Sequence, residues 1–415
     1  MRRRFASRNE TEPADNQAGR FNLLFINLGH FYDHFFLLIF STAAALSLTR
    51  VWGIDYGELV AYSLPGYIAY GIFTIPFGWL ADKWGREALM TIFFAGIGIS
   101  SICAGLSQAP LQLSLGLLLI GIFAAIYHPV GLAMVVEGKE KIGLSLAING
   151  VWGNMGVASA ALLTAWIIDH FSWRWAFILP GVISLLTGVI YHLYSAGVSK
   201  KTDAQNTTRN NTGITRPSLN FGRNVLLRML IFLLLSSAIG GLLFQSLTFA
   251  LPKILDERLG DLAVSATAVG GYAFLVFTVA SFTQLLVGYG LDLFSVKRIF
   301  FVIALLQVIL FIAMQNATEA AAVTIGLLLM MSVFGQIPIN DVLVGQVTTP
   351  EWRSRAYAVR NICSFMAAPV SIALIGWIYQ GWGFSVLFLL LAVASGVTFI
   401  SSFILPVINP GALSR

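Results

Sequence analysis

Long hydrophobic segments alternate with short polar ones along nearly the whole chain. A helix that crosses a lipid bilayer needs about 20 consecutive, mostly apolar residues. Cutting the sequence at its charge clusters and at its Gly and Pro turns predicts twelve such helices, numbered here as spans 1 to 12: 21–47, 58–80, 87–106, 111–136, 142–168, 174–197, 225–251, 263–288, 299–317, 321–347, 356–379 and 383–406. The pattern predicts an all-α integral membrane protein.

The polar stretches divide the chain into two halves. Residues 198–224 are rich in Asn and Thr, show no apolar periodicity and predict a flexible linker. Six spans lie on each side of it, in bundles predicted at 21–197 and 225–407. The remaining polar ends, 1–20 and 408–415, are predicted to be tails.

Charge is scarce, at 11% of residues against about 25% in an average soluble protein. Of the 25 Lys and Arg residues, 21 fall on the side of the membrane that holds the tails and the linker. Because basic loops stay in the cytoplasm, both termini and the linker are predicted to be cytoplasmic in a multi-pass protein of a bacterial inner membrane. This distribution makes the basic residues topology signals, so no nucleic-acid partner is expected.

The two halves repeat each other. Gly78 and Asp82 at the end of span 2 recur 210 residues later as Gly288 and Asp292 at the end of span 8. Two further pairs have nearly the same offset: Asn149 with Asn361, and Pro129 with Pro338. Four pairs at one offset indicate a duplicated unit, and therefore two pseudo-symmetric six-helix bundles.

The strongest local motif is GWLADKWGRE, residues 78–87. Its two glycines permit a tight turn, and its charged side chains can clamp the ends of neighbouring helices. With the twelve spans and the duplication, it resembles the loop between spans 2 and 3 of the major facilitator superfamily, G-x-L-A-D-R/K-x-G-R-R/K. The match departs at Glu87, and the second copy, 288–298, lacks the second Gly. The resemblance implies gating roles for these residues: Gly78, Asp82, Lys83, Gly85, Arg86 and Asp292.

The resemblance implies a major facilitator fold in which two bundles rock about a central cavity lined by spans 1, 4, 7 and 10. It also implies a secondary active transporter that moves a small solute by alternating access, coupled to protons, with efflux considered as its direction. The partners expected are the solute, protons and the bilayer, for a monomer without cofactors. No phosphate-binding loop, haem pair or catalytic triad is found in the sequence, so an enzyme is not expected.

Three ionisable residues, His30, Asp33 and His34, share one face of span 1. His30 lies roughly 14 Å from the cytoplasmic end of its span, near the bilayer midplane, where such groups are costly unless they face a cavity. His128 lies at a similar depth in span 4. Imidazole and a buried carboxylate suit proton coupling. Two alternatives stay open: polar side chains that only join helices, and a site for a transported divalent metal or metal chelate, since His-x-x-Asp-His has metal-ligand spacing.

The second half offers fewer candidates. Gln245 in span 7 and Asn340 in span 10 are predicted to contact substrate. Asp341 lies close to the cytoplasmic end of span 10 and is predicted to form a gate with an arginine: Arg353, Arg355 or Arg360. Of these arginines, Arg355 is taken as the gating candidate.

Two further patterns bear on the type of transporter. His128-Pro129 and the span 1 cluster resemble the fosmidomycin-resistance exporters, but Asp33 lies three residues after His30 instead of four, so their substrate is not carried over. The glycines of 149–160 resemble an antiporter signature that here lacks its Pro, which leaves the direction of transport open. A protein of the same fold that senses or scaffolds without transport is the alternative of another class, and solute flux in vesicles distinguishes the two.

Overall fold

The computed structural model describes residues 14–137, 142–202, 223–348 and 350–406, and the regular elements in these ranges are all helices. The predicted all-α fold is confirmed. The α-helices are Ala14–Ala43 (α1), Thr49–Trp52 (α2), Tyr56–Ala61 (α3), Leu64–Trp84 (α4), Arg86–Gly105 (α5), Pro110–Ala124 (α6), Tyr127–Val136 (α7), Ile142–His170 (α8), Trp173–Thr202 (α9), Arg223–Arg258 (α10), Ala266–Leu293 (α11), Val296–Met314 (α12), Glu319–Val347 (α13), Pro350–Phe365 (α14) and Ala367–Ser401 (α15).

These helices form twelve crossings. Eleven described ranges are long and apolar enough to cross a membrane, and the last of them, Val359–Ile404, contains 46 residues. That length exceeds one crossing, which needs about 20 residues. Gly383 divides the range, because its backbone is not helical (φ 69°, ψ −170°). Spans 11 and 12 therefore meet at Gly383, where a left-handed φ favours glycine.

Three helix ends differ from the sequence prediction. Helix α1 begins at Ala14, inside the segment predicted as a tail, and α9 continues to Thr202, inside the predicted linker. Helix α4 continues through the motif to Trp84, so Gly78 lies within a helix and only Gly85 (φ 84°) makes the turn. In the second copy the turn is made by extended Phe294 and Ser295, which explains how that copy dispenses with the second Gly.

Span 4 is interrupted beside its histidine. Helix α6 ends at Ala124 and α7 begins at Tyr127, so the helix breaks three residues before His128-Pro129. Proline has no backbone N–H, and its ring clashes with the carbonyl four residues earlier, here that of Ala125. The break therefore follows from Pro129, the residue after His128.

The two six-helix halves meet along α8 with α11, α3 with α15, and α1 with α10. We name the face of the bundle where α1 begins the terminal side, and the opposite face the distal side. Near the distal side the seams are tight: a Cβ on Gly270 would lie 2.6 Å from the Ala161 carbonyl oxygen, and one on Gly376 would lie 2.7 Å from that of Gly57. The halves are therefore in direct backbone contact on the distal side.

Candidate functional site

The structure brings together the four ionisable residues that the sequence placed in spans 1 and 4. The ring centroids of His30 and His34 are 5.0 Å apart, and that of His128 lies 5.3 Å from His30 and 5.7 Å from His34. Asp33, His30 and His34 sit on one face of α1, as the i, i+3, i+4 spacing predicted. His128 comes from span 4, next to the break between α6 and α7.

Asp33 is completely buried at the centre of this cluster. Its Oδ2 lies 3.2 Å from His128 Nε2, a close contact whose angle is not that of a hydrogen bond. The hydroxyl of Tyr70, from span 2, donates a hydrogen bond of 3.2 Å to the same oxygen. The other carboxyl oxygen, Oδ1, has no hydrogen-bond partner among the described residues. Asp33 thus joins spans 1, 2 and 4 while one of its oxygens remains unsatisfied.

His30 is held in a defined orientation. Its Nδ1 lies 2.7 Å from the backbone oxygen of Asn149, which can only accept, so Nδ1 carries the proton. The ring stacks on Tyr127 with centroids 4.9 Å apart. Its other face abuts Gly153, where a Cβ would lie 2.6 Å from Nε2. Nε2 is therefore the unprotonated nitrogen, and it has no hydrogen-bond partner among the described residues.

Sequence reasoning missed the residue that organises this region, Asn149. Its side-chain amide donates to Asn27 Oδ1 at 2.9 Å, and the Tyr127 hydroxyl donates to its Oδ1 at 3.2 Å. The side chain of Asn149 therefore connects spans 1, 4 and 5 while its carbonyl fixes His30. The repeat had marked Asn149 only as the counterpart of Asn361, and its place as a polar amide within the apolar span 5 was the remaining signal that could have found it.

His34 faces the second half of the protein. It lines a small cavity together with Tyr67 and Tyr70 of span 2 and Gln245 of span 7. The predicted candidate Gln245 therefore lies on the same cavity as the cluster. His128 also reaches the second half, with its ring 4.5 Å from that of Phe365 in span 11. The cluster thus lies on the boundary between the two halves.

Asn340 lies apart from the cluster. It is buried, and its Oδ1 accepts a hydrogen bond of 2.8 Å from Ser236 of span 7. Gln336, one helical turn earlier, bonds to Ser236 and to Gln307 of span 9. This network joins spans 7, 9 and 10 within the second half. The geometry therefore supports helix packing for Asn340, while its predicted contact with substrate stays a prediction.

The motif residues lie at the terminal end of span 2. Gly78 packs near Pro129 of span 4, and Lys83 sits 3.8 Å above the ring of Trp79. Arg86 forms an ion pair of 3.0 Å with Glu137 at the end of span 4. Asp82 is exposed and forms no ion pair with another described residue. In this structure the motif therefore holds spans of its own half, and Asp82 is left accessible.

Among the candidates in the second half, Asp341 forms an ion pair of 3.4 Å with Arg360. Arg360 is one of the three arginines considered as its partner. Asp292 is exposed at the end of span 8, as Asp82 is at the end of span 2. The side chain of Arg355 lies outside those that the structure describes. The pairing of Asp341 links span 10 with span 11 on the terminal side.

The sequence matches the Major Facilitator Superfamily over residues 26–277 and 256–414, which together cover most of the chain. The chain belongs to the Major Facilitator Superfamily. The fold predicted from the repeat and the motif is confirmed, and the protein is a membrane transporter of that superfamily, not an enzyme.

Curated proteins show partial sequence similarity to this chain. A quinolone resistance protein, NorB of Staphylococcus aureus strain bovine RF122 / ET3-1, is 33% identical over 146 residues, which are 34% of this chain and 31% of that protein. NorB of strain JH9 is 35% identical over 120 residues, 28% of this chain and 26% of its own length. The chain thus aligns with about a third or less of these curated relatives.

Solved structures of superfamily transporters are similar over nearly their whole length. A D-xylose-proton symporter has a TM-score of 0.69 at 14% identity, covering 95% of this chain and 99% of that one. The inward-open xylose transporter XylE from E. coli has a TM-score of 0.70 at 12% identity, covering 94% and 98%. At these identities the likeness establishes the fold alone.

Replacing Asp82 by Asn is expected to cut transport strongly while leaving expression intact. The resemblance of the motif to the superfamily loop implies that this carboxylate has a partner in one of the two alternating conformations. In this structure Asp82 is accessible and forms no ion pair with another described residue. Flux into vesicles, normalised to protein amount, measures the effect, with Glu87→Gln as an exposed acidic control in the same motif. Wild-type flux in the Asp82 variant would remove the gating role.

Proposed function

We propose that this transporter is secondary active, moving a small solute by alternating access in a step coupled to protons, and that His30, Asp33, His34 and His128 carry the coupling. The observation on which this rests is the position of Asp33. It is completely buried, contacts His128 and Tyr70, and belongs to a cluster that borders the cavity between the halves.

A carboxylate in this position is expensive to keep charged without partners. Its position explains why a transporter would retain it. A proton on Asp33 or on a neighbouring imidazole removes or redistributes charge at the boundary between the halves. The movement of the halves then becomes dependent on whether the cluster holds a proton. Static helix joining accounts for the contacts of Asp33 Oδ2 but leaves the unsatisfied Oδ1 unexplained.

We further propose that the protein lies in the inner membrane and that both of its termini face the cytoplasm. The distribution of Lys and Arg supports this orientation. The terminal side is then cytoplasmic, and the backbone contacts on the distal side correspond to a state closed to the outside. A monomer is proposed as the working unit, and efflux as its direction, which the partial similarity to quinolone resistance proteins supports.

A reporter fused after Thr212 is expected to lie in the cytoplasm. This position lies outside the described residues, in the predicted linker 198–224, which carries five of the basic residues. An alkaline phosphatase fusion should therefore be inactive and a fluorescent-protein fusion active. A second fusion at Gly260, in a distal turn, should give the reverse pattern. Activity of the phosphatase after Thr212 would overturn the orientation.

Asp33→Asn is expected to abolish accumulation driven by a pH gradient while preserving exchange of substrate between two sides at equal pH. Exchange requires no net change of protonation, whereas accumulation does. A thermal-stability screen of purified protein against a quinolone, D-xylose and ZnCl₂ first selects the solute, and reconstituted vesicles then give both rates.

The exposed distal residue Asp261 supplies the matched control, as Asp261→Asn. Wild-type accumulation in the Asp33 variant would make Asp33 structural. Loss of both accumulation and exchange in a folded variant would place Asp33 in substrate binding. Absence of solute flux with every solute in the wild-type protein would favour a sensor or scaffold of the same fold.

A further inference from the structure

We propose that His30, His34 and His128 form a binding site for one divalent transition-metal ion of the Zn²⁺ type. Nitrogen atoms from the three rings lie within 4.8 Å of one another. The sequence showed only the pair on span 1, because the third histidine is 94 positions away from His34. The existence of this binding site does not depend on the proposed function. A role of the ion as transported substrate does rest on the proposed function.

The spacing of the nitrogens suits a site that closes on its ion. A tetrahedral Zn²⁺ with Zn–N distances of about 2.0 Å holds its nitrogens about 3.3 Å apart. The three imidazoles therefore need to draw together by at most about 1.5 Å. Rotation of the side chains supplies such a movement, and His34, on the cavity wall, has the room for it.

One of the rings already has the outer contact typical of a metal ligand. A ligating imidazole usually gives its other ring nitrogen to a carbonyl or a carboxylate, which fixes the ring and leaves one nitrogen for the metal. His30 Nδ1 is bonded to the Asn149 carbonyl, which leaves His30 Nε2 for an ion. His128 Nε2 lies 3.2 Å from Asp33 Oδ2 without forming a hydrogen bond, so either nitrogen of His128 is available to the ion.

The nitrogens left in this way are buried without partners. No hydrogen bond within the described part of the chain reaches His30 Nε2, either ring nitrogen of His128, or Asp33 Oδ1. The side chains of Asp33 and His30 are more than nine-tenths buried. Buried polar atoms are nearly always satisfied in proteins, so four such atoms in one cluster indicate a ligand.

The donor set selects the class of ion. Imidazole nitrogens suit Zn²⁺, Co²⁺, Ni²⁺ and Cu²⁺, whereas Mg²⁺ and Ca²⁺ prefer carboxylate and carbonyl oxygens. With three neutral rings and one acidic group nearby, the cluster favours the first class. The small cavity beside His34 lies at the boundary between the halves.

Co²⁺ titration of the purified full-length protein, stripped with a chelator, tests the site. Tetrahedral Co²⁺ bound by histidines absorbs visible light intensely, so the readout needs no transport. We expect one Co²⁺ per chain, displaced by Zn²⁺ and not by excess Mg²⁺. His34→Ala and the milder His34→Gln should each weaken binding by roughly tenfold or more. His192→Ala, which removes an exposed histidine outside the cluster, should leave it unchanged.

Lack of saturable Co²⁺ absorption in the folded wild-type protein would overturn the site, as would equal affinity in the His34 variants. Flux of Zn²⁺ into vesicles tests the substrate role separately. Binding with Zn²⁺ flux supports both parts of the proposal. Binding without Zn²⁺ flux, in vesicles that move another solute, refutes the metal as substrate while the site and the proposed transport function stand.

Discussion

Replacing Gly153 by Ala is expected to lower proton-driven accumulation by at least about tenfold and to destabilise the protein. The added Cβ would lie 2.6 Å from Nε2 of His30 and 2.7–2.8 Å from two of its ring carbons. The ring is confined on its other face by Tyr127, so it must tilt away from Asn149 or force span 1 from span 5. Overpacking of this kind costs about 1–3 kcal/mol.

Gly150→Ala is the matched control, because it lies one turn earlier in the same helix and its Cβ would meet only Gln284 Oε1 at 3.8 Å. Accumulation in vesicles and the midpoint of thermal unfolding are measured for both variants. If the orientation of His30 matters for transport, accumulation is lost in Gly153→Ala and stays at the wild-type rate in Gly150→Ala. Equal behaviour of the two variants would show that the position of His30 does not matter for transport.

The outline of the fold could be predicted from the sequence because a bilayer imposes a strong constraint on it. Segments of about 20 apolar residues must be helices, and a repeat offset of about 210 residues shows that the unit is duplicated. The cluster on span 1 was equally readable, since residues 30, 33 and 34 must share a helix face. Because these residues lie near the bilayer midplane, they were expected to face a cavity and not lipid.

The remaining parts of the site depend on contacts between helices, which spacing along the chain does not show. Asn149 lies 119 residues from His30, and Tyr70 lies 37 from Asp33. The third imidazole of the proposed metal site was known as a residue of span 4, but its distance from the pair on span 1 depends on how the two spans pack. Asn340 had the right depth and type, yet its bond to Ser236 holds it within the second half.

The closure of the distal side involves contacts between helix ends of the two halves. Asp169, at the end of α8, accepts hydrogen bonds from the backbone N–H and the hydroxyl of Thr267, both at 2.6 Å. It therefore caps the first turn of α11, which belongs to the other half, and carries a favourable charge for a helix N-terminus. Tyr56 of the first half packs on Tyr379 of the second, with centroids 5.1 Å apart.

One backbone contact in this seal is between Gly57 and Gly376, and Gly376→Ala is expected to open it. The new Cβ would lie 2.7 Å from the Gly57 carbonyl oxygen, which is backbone and has little freedom to move. A clash of about 1–3 kcal/mol that exists only in the distally closed state shifts the population away from it, by roughly tenfold for each 1.4 kcal/mol. Transport should fall because one of the two alternating states is disfavoured.

Thiol labelling measures this shift directly. Gln245→Cys, in a background with Cys103 and Cys363 replaced by Ser, places one thiol on the cavity between the halves. A reagent that does not cross membranes, applied from the distal side, should label it roughly tenfold faster when Gly376 is Ala. Gly396→Ala, in span 12 with nothing within 4 Å of its Cβ, is the control and should label at the parent rate. Parent-rate labelling in the Gly376 variant would show that the Gly57–Gly376 contact does not control access, and the seal would then have to rest on the Gly270–Ala161 contact, Asp169 and the aromatic pair.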